Sequence, residues 1–422
     1  MKIAIIGSGG REFTIGWKLS QSKKKQELFF LPGNGGTNKL GQNINISLSN
    51  FEEINSFIVQ NDIEMVIVGP EAPLVDGLVD FLETKNIPKL KIIGPSKQGA
   101  LLEGSKAYAK EFMQKYNIPT AKYKAFNAQQ LSSAIDFLKQ LKPPYVLKAD
   151  GLAAGKGVLI LDDIKEAEFE LKQMFDGKFG NAGNTVVIEE FLDGIELSVF
   201  VLTDGENYKI LPQAKDYKRI GDGDSGLNTG GMGAVSPVPF ANAEFLKKIE
   251  DKIIVPTIEG IKTEKIKYNG FVFFGLIKVK DEPFVIEYNV RMGDPETQAV
   301  LPRIENDFVD LFLATANKQL DKINLNISDK HVVSVVVTSG GYPENYENNF
   351  EITGIENVTE CLVLQAGTKS ENNKILTSGG RVLAVTGFGN SIESARKTVY
   401  SEIKKINFNK MYFRKDIGLD LL

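Results

Sequence analysis

Glu287 and Asn289 stand two apart in VIEYNV, so on a strand a carboxylate and an amide oxygen share one face while Tyr288 turns to the other. Hard oxygen donors of this kind suit Mg2+, which takes one or two carboxylates and fills its shell with substrate phosphates. A lone E-x-N is otherwise an exposed strand face. The turn RMGDPETQ follows at once and carries Arg291, Asp294 and Glu296 over the same edge. Lys148 ends the run YVLKA, where its ammonium would meet phosphate oxygens. The GLAAGKG beyond it is not a P-loop: three residues separate Gly151 from Gly155, Lys156 precedes Gly157 rather than Ser or Thr, and a strand pattern follows. It reads as a glycine hairpin that folds down on a nucleotide, or as an ordinary hairpin with a surface lysine. TVVIEEFLDGIE puts Glu189 and Glu190 at a strand end with Glu196 shortly beyond, acids that hold adenine and ribose hydroxyls or decorate a turn.

Three glycine-rich loops lie earlier in the chain. GSGGRE fits a dinucleotide fingerprint at Gly7 and Gly9 but has Glu12 where the third glycine belongs. What survives is a turn opening a helix, whose N–H groups and dipole favour an anion, with Arg11 as a phosphate fork. PGNGGT at 32–37 and GPEAPLVDG at 69–77 belong to the same edge, and with Arg11, Asn34, Thr37 and Glu71 they point to a phosphorylated sugar. Any one of them alone is a tight turn. In KDYKRIGDGDSGLNTGGMG, acids and bases alternate (Lys215, Asp216, Lys218, Arg219, Asp222, Asp224) within a stretch lacking apolar periodicity. Such a segment binds a zwitterion, wraps polyphosphate or serves as a lid without chemical duty. An EF-hand is excluded, because Gly226 occupies the third ligand position.

The elements that must carry these residues follow from periodicity. From Lys2 to Gly94, the runs KIAII, ELFFL, MVIVG and KIIG alternate with helical patterns, which predicts a doubly wound parallel sheet whose ligands sit beyond its strand ends. One helical stretch over 100–116 comes next. The middle of the chain predicts strand pairs, including FVFFGLIKV with PFVIEYNV, a helix near 244–261, and an irregular connection over 215–236. From Val332, three strand patterns and a helix over 391–406 predict a small α+β closing domain.

Composition removes many alternatives. A single histidine, His331, and a single cysteine, Cys361, among 422 residues leave no room for histidine zinc sites, a Ser-His-Asp triad, thiolate clusters or a disulfide framework. With 50 Lys+Arg against 54 Asp+Glu, a nucleic-acid partner is not expected. No apolar run approaches the ~18 residues of a membrane helix, so a cytoplasmic protein without a membrane partner is expected.

Together, GSGGRE, PGN-GT, GPEAPL-DG, LEGSKA, KADGLAAGKGV, EEFL-G-E, D-KR-GDGD-G-NTGGMGA-SP, IE-N-R-GDPE-Q and GGRVLAVTG, in this order over essentially the whole chain, resemble the phosphoribosylamine–glycine ligase family of ATP-grasp enzymes. The resemblance implies an α/β and α+β multidomain protein: a doubly wound domain at 1–102, two lobes that clasp ATP at 103–195 and 196–328, and a closing domain at 329–422. It implies ATP with Mg2+, or Mn2+, and the substrates glycine and 5-phosphoribosylamine, in a monofunctional monomer. By the same resemblance, the sugar phosphate meets Gly9, Gly10, Arg11, Asn34, Gly36, Thr37 and Glu71. ATP meets Lys106, Lys148, Gly155, Lys156, Glu189, Glu190, Glu196 and the backbone of Leu192. The metal sits on Glu287 and Asn289, and glycine lies near Asp216, Lys218, Arg219, Arg291 and Asp294. Phe13 and Tyr217 stand where the family pattern has histidine, which removes an imidazole base from either place. A formate- or bicarbonate-using ATP-grasp ligase, or a non-catalytic nucleotide sensor, would share the nucleotide residues.

Overall fold

The computed structural model describes residues 1–152 and 157–422. Strands Lys2–Gly7, Glu27–Pro32, Met65–Val68 and Lys91–Pro95 are parallel, in the spatial order 27–32, 2–7, 65–68, 91–95, with the short Gln42–Asn43 strand outermost. Helices cover both faces of this sheet, which is why the strands are continuous apolar runs rather than alternating ones. The sheet does not stop at the end of the first domain. Tyr268 and Asn269 pair with Pro95 and Gly94, so the long strand Tyr268–Val279 continues it, joined by Ile195–Thr203 on one side and Glu282–Asn289 on the other. The glycine loops of the N-terminal part and the acidic strand near 287 therefore belong to one nine-stranded framework.

A separate antiparallel sheet runs in the order Tyr123–Asn127, Thr185–Glu190, Tyr145–Ala149, Val158–Leu161. The amphipathic helices Leu131–Leu138 and Ile164–Gln173 back it, burying Phe126, Leu147, Leu171 and Ile188. This is the smaller lobe. The C-terminal sheet is built on His331–Ser339, paired with Arg381–Gly389 and packed against the helix Ile392–Glu402. Among the described residues no helix is long and apolar enough to cross a membrane.

Three expectations change in detail. The 100–116 stretch is two helices, Lys97–Gly104 and Lys106–Lys115. Ser105 between them is extended, caps the second through the Tyr108 N–H, and donates to Asp150 at the mouth of the glycine hairpin. The helical pattern between MVIVG and KIIG likewise divides at Gly77, whose φ of +95° is a conformation that glycine adopts without cost. The 215–236 segment is not irregular: it forms the short strands Lys215–Asp216, Arg219–Gly221, Ser225–Asn228 and Gly233–Ser236. Two of these extend the C-terminal sheet, with Gly233–Ser236 pairing directly to Val332–Val335. A lid reading of the whole segment does not survive, because its last strand is fully buried.

One contact inside the first helix decides a sign. A Cβ at Gly16 would stand 2.4 Å from Phe30 Cζ, and Phe30 is wholly buried with nowhere to move. In an exposed helix Gly→Ala is worth about 1 kcal/mol in favour of folding, whereas overpacking a core costs about 1–3 kcal/mol. Gly16→Ala is expected to lower the thermal unfolding midpoint by several degrees; an unchanged or raised midpoint would contradict this packing.

Candidate active site

Lys148 and Glu189 lie on neighbouring antiparallel strands of the smaller lobe, where Lys148 faces Val187 and Glu189 faces Val146, so the two side chains are diagonal neighbours on one face. Lys148 Nζ lies 3.0 Å from Glu189 Oε2 and donates to the Ile286 carbonyl at 3.3 Å. That carbonyl belongs to the residue before Glu287. The strand carrying the expected metal donors and the ammonium expected at the phosphates are thereby in direct contact. Lys110, from the helix Lys106–Lys115, reaches the same Glu189 oxygen at 2.9 Å and donates to Thr120 Oγ1 at 2.7 Å. Thr120 in turn donates to the Val285 carbonyl. Burial pushes Lys110 down to about 8 despite Glu189, and the neighbouring Lys148 adds to the effect. Glu189 Oε1 is buried with no partner among the described residues.

Glu287 and Asn289 do share a face. Tyr288 points the other way, into Phe112, Phe274 and the Thr257 hydroxyl. Opposite Glu287 stands Gly275, where a Cβ would lie 3.1 Å from Glu287 Cγ, so glycine leaves room for the carboxylate. A carboxylate and an amide oxygen fit a magnesium-type ion. Among the described residues no cluster of ≥ 3 His, Cys, Asp or Glu forms a metal cage.

Beyond Asn289 the chain enters a dense charge network. Arg291 donates to Glu103 Oε1 at 2.6 Å and Asn289 Oδ1 at 3.2 Å, and its Nε lies 3.4 Å from Glu71. Glu103 also accepts the Val290 N–H at 2.8 Å, and burial raises its pKa. Arg11 Nε donates to Glu12 at 2.7 Å and Nη1 to the Met292 carbonyl at 3.1 Å, leaving Nη2 toward Glu71 at 4.0 Å. Burial works against the charge on Arg11, but Glu12, Glu71 and Asp294 outweigh it. Asp294 accepts from the Arg11 N–H and from Gln298 and pairs with Arg381.

The expected residues are distributed unevenly around this network. Gly9, Gly10, Arg11, Glu71, Arg291 and Asp294 come together, yet the first amides of the helix Gly10–Ser20 already face carboxylates: Glu12 accepts the Gly9 N–H at 2.6 Å. The acid that replaces the third glycine thus folds back on its own helix end. Asn34 and Thr37 are buried, with their polar atoms engaged: Asn34 donates to the Ser8 and Gln365 carbonyls and accepts the Gly36 and Thr37 N–H groups. Glu190 turns away from Glu189 to accept the Lys122 N–H, and half-buried Leu192 lies just beyond it. Lys106 approaches the Gly151 carbonyl at 3.4 Å, while Gly155 and Lys156 lie outside the described residues.

Lys218 bridges Glu196 at 2.9 Å and Asp216 at 3.2 Å, within electrostatic reach of Glu287. Arg219 instead points along its own hairpin to the Gly226 carbonyl. Phe13 packs with Val336, Leu364 and Ala384 against the closing domain, an apolar setting without acid–base duty. Glu12, Glu103 and Lys110 were not singled out for roles by sequence, whereas Glu296 was placed at this edge with Arg291 and Asp294. Lys110 carried a signal, standing four residues after Lys106 on one helix face.

Two lobes meeting at Lys148 and the Glu282–Asn289 strand, with a doubly wound domain and a closing domain, define an ATP-grasp enzyme. Family descriptions of phosphoribosylglycinamide synthetase match three successive parts: the N domain over residues 1–103, the ATP-grasp (A) domain over 104–297 and the C domain over 332–420. Phosphoribosylamine–glycine ligases of Clostridium acetobutylicum and Caldanaerobacter subterraneus are each 46% identical over 419 residues, covering 99% of this chain and 99% of the relative. The crystal structure of phosphoribosylamine–glycine ligase from Thermotoga maritima has a TM-score of 0.86 at 37% identity, covering 99% of this chain and 100% of that one. The chain belongs to the phosphoribosylglycinamide synthetase family.

Glu296 supplies a pH test of the site. It is buried, accepts from the Ser198 hydroxyl at 3.1 Å, and is pushed up to about 7 by burial and by the Asp216 carboxylate. A folded-state pKa above the ordinary 4.5 means that the native chain holds a proton the unfolded chain releases, so stability is full below about 4.5 and declines as pH rises toward 7. Glu296→Gln is expected to flatten the fall in unfolding midpoint between pH 5 and 7.5; an equal slope in parent and variant would remove Glu296 as its source.

Proposed function

We propose that this chain joins the carboxyl group of glycine to the amine of 5-phosphoribosylamine, with ATP converted to ADP and phosphate, to give glycinamide ribonucleotide for purine biosynthesis. The observation that carries the reading is the contact of Lys148 with the Ile286 carbonyl, which sets a buried ammonium against the strand that bears Glu287 and Asn289. The division of labour follows 1–102 for the sugar, 103–195 and 196–328 for ATP, metal and glycine, and 329–422 for closure. Lys106, Lys148, Glu189, Glu190, the Leu192 backbone and Glu196 take the nucleotide side, and Gly155 and Lys156, outside the described residues, are assigned to the same nucleotide by the family resemblance. Glu287 and Asn289 would hold Mg2+ or Mn2+, which neutralises charge on the transferred phosphoryl group when bound.

Glycine's carboxylate is a poor electrophile, so one of its oxygens must first become a leaving group. That oxygen attacks the γ-phosphorus in line, an O–P bond forms, the bond to the β-phosphate oxygen breaks, and ADP departs. Lys148 is pre-placed against the negative charge of that transfer. The resulting glycyl phosphate is attacked at its acyl carbon by the amine of phosphoribosylamine. Arg291 faces the oxyanion, the C–O bond to phosphate breaks, and the nitrogen's extra proton passes to a nearby carboxylate or water. Asp216 and Lys218, with Arg219 beside them, complement the ammonium and carboxylate of glycine, and Asp294 lies between that side and the Gly9–Arg11 turn. The sugar phosphate is assigned to the Gly9, Gly10 and Arg11 turn and to the 34–37 loop with Gly36, whose shape Asn34 and Thr37 hold through their own hydrogen bonds. Glu71 faces its hydroxyls. Water must be kept out, because hydrolysis would waste the acyl phosphate.

Lys148→Ala and Glu287→Gln are each expected to reduce glycine- and phosphoribosylamine-dependent ADP release by about 100-fold or more, the scale of losing one electrostatic stabiliser, with far-UV circular dichroism unchanged. Near-parental turnover in either would refute the assignment. ADP release with formate or bicarbonate but not glycine would move the chain to another ATP-grasp reaction. No release with any substrate would favour a nucleotide sensor.

A further inference from the structure

The Arg219–Gly221 and Ser225–Asn228 strands form a hairpin that cannot hold its own position. Ser225–Asn228 is wholly exposed, Leu227 among it, and only Ile220 packs against a core. An isolated two-stranded hairpin is marginal in water. The restraint comes from almost two hundred residues away. Arg414 is 1% exposed, although charged. Its Nη1 donates to the Arg219 carbonyl at 3.1 Å and to Asp224 at 2.7 Å, while Nε and Nη2 grip Asp416 at 2.8 and 2.6 Å. Asp416 also accepts the Gly223 N–H at 2.8 Å, Asp222 accepts the Lys415 N–H at 2.8 Å, and the Tyr412 hydroxyl donates to the Ile220 carbonyl at 2.9 Å.

The same tail grips the root of the hairpin. Tyr217 lies beneath Arg414, ring centroid to guanidinium 5.2 Å, donates to Asp420 at 2.5 Å and accepts the Gly418 N–H at 2.9 Å. Lys215 pairs with Asp420 as well. Lys218 is therefore bracketed, with the 215–217 root fixed by 418–420 and the 219–224 turn fixed by 412–416. Its ammonium projects from that frame to Asp216 and Glu196. Arg414 stands between two carboxylates, its own side chain closed off while Asp416 is partly and Asp224 mostly exposed, so loss of the guanidinium fork releases the Arg219 carbonyl, Asp224 and Asp416 at once.

We propose that the C-terminal segment 411–420 is a clamp that positions the glycine site, with Arg414 and Asp416 acting as positioning residues that set Lys218 and Asp216 through the hairpin. The proposal rests on the reaction assigned above for its substrate and on the contacts alone for the clamp. It gives the end of the chain a task in catalysis beyond closing the fold.

Arg414→Lys keeps the charge but loses the planar fork, and Asp416→Asn keeps the shape but loses the charge. Each is expected to raise the KM for glycine about 10-fold, with the KM values for ATP and phosphoribosylamine within about twofold, a split that general destabilisation would not give. Amide hydrogen exchange over 219–228 should quicken about 10-fold in both variants while the Lys2–Gly7 strand is unchanged. Equal rises in all three KM values, or an unchanged glycine KM with faster hairpin exchange, would overturn the positioning role. Unchanged exchange would overturn the clamp itself. Exchange requires no turnover, so a parent lacking glycine-dependent ADP release would count against the assigned reaction while the clamp is still decided.

Discussion

Two ammonium groups share one carboxylate oxygen in the interior between the lobes, and the rest of the site is arranged around that fact. Lys110, Lys148 and Glu189 are each at most 5% exposed. Burying charge without a partner costs several kcal/mol per ion, so such a trio persists only if its members satisfy one another. Here they do so incompletely. One carboxylate faces two cations, an excess of positive charge remains, and Glu189 Oε1 has no donor among the described residues. An anion entering beside Lys148 completes the balance, which is what a triphosphate provides. Because Lys148 is also tied to the Ile286 carbonyl and Lys110, through Thr120, to that of Val285, the trio fixes the smaller lobe against the strand that carries Glu287 and Asn289.

A second set of charges makes the framework continuous with the sugar side. Arg291 holds Glu103 and faces Glu71, Arg11 holds Glu12 and the Met292 carbonyl, and Asp294 accepts the Arg11 N–H. Two arginines and four acids thus stitch the first helix, the 71–76 helix and the end of the Glu282–Asn289 strand into one unit. The nine-stranded sheet runs beneath them. On the proposed assignment, the strand where the acyl group would be activated and the loops that would hold the amine belong to one connected framework.

The order of strands and helices was legible because most elements carry their own period, whether the solid apolar runs of Met65–Val68 or the alternation around Tyr288. The acid–amide pair and Lys148 were legible by residue type and spacing. What the chain did not disclose lies where partners come from far away. The strand Gly233–Ser236 has no periodicity of its own and exists because Val332–Val335 pairs with it. Asn34 and Thr37 have the polarity of ligand-binding residues, yet their hydrogen bonds close on the loop that bears them and on Ser8, Asn43 and Gln365. Glu103 is an unremarked acid in LEGSKA until the fold sets it under Arg291. Adjacent Glu189 and Glu190 look alike in sequence, and strand alternation sends one inward to two lysines and the other outward to a backbone amide.

In the proposed reaction a carboxylate acquires a phosphoryl group and then loses it. The most direct measurement follows the oxygen atom. With glycine labelled by 18O in its carboxyl group, the account predicts that the phosphate released in each turnover carries one labelled oxygen, transferred when the acyl–oxygen bond breaks. Phosphate free of label, with the oxygen lost from the carboxyl group recovered in water or AMP instead, would contradict it.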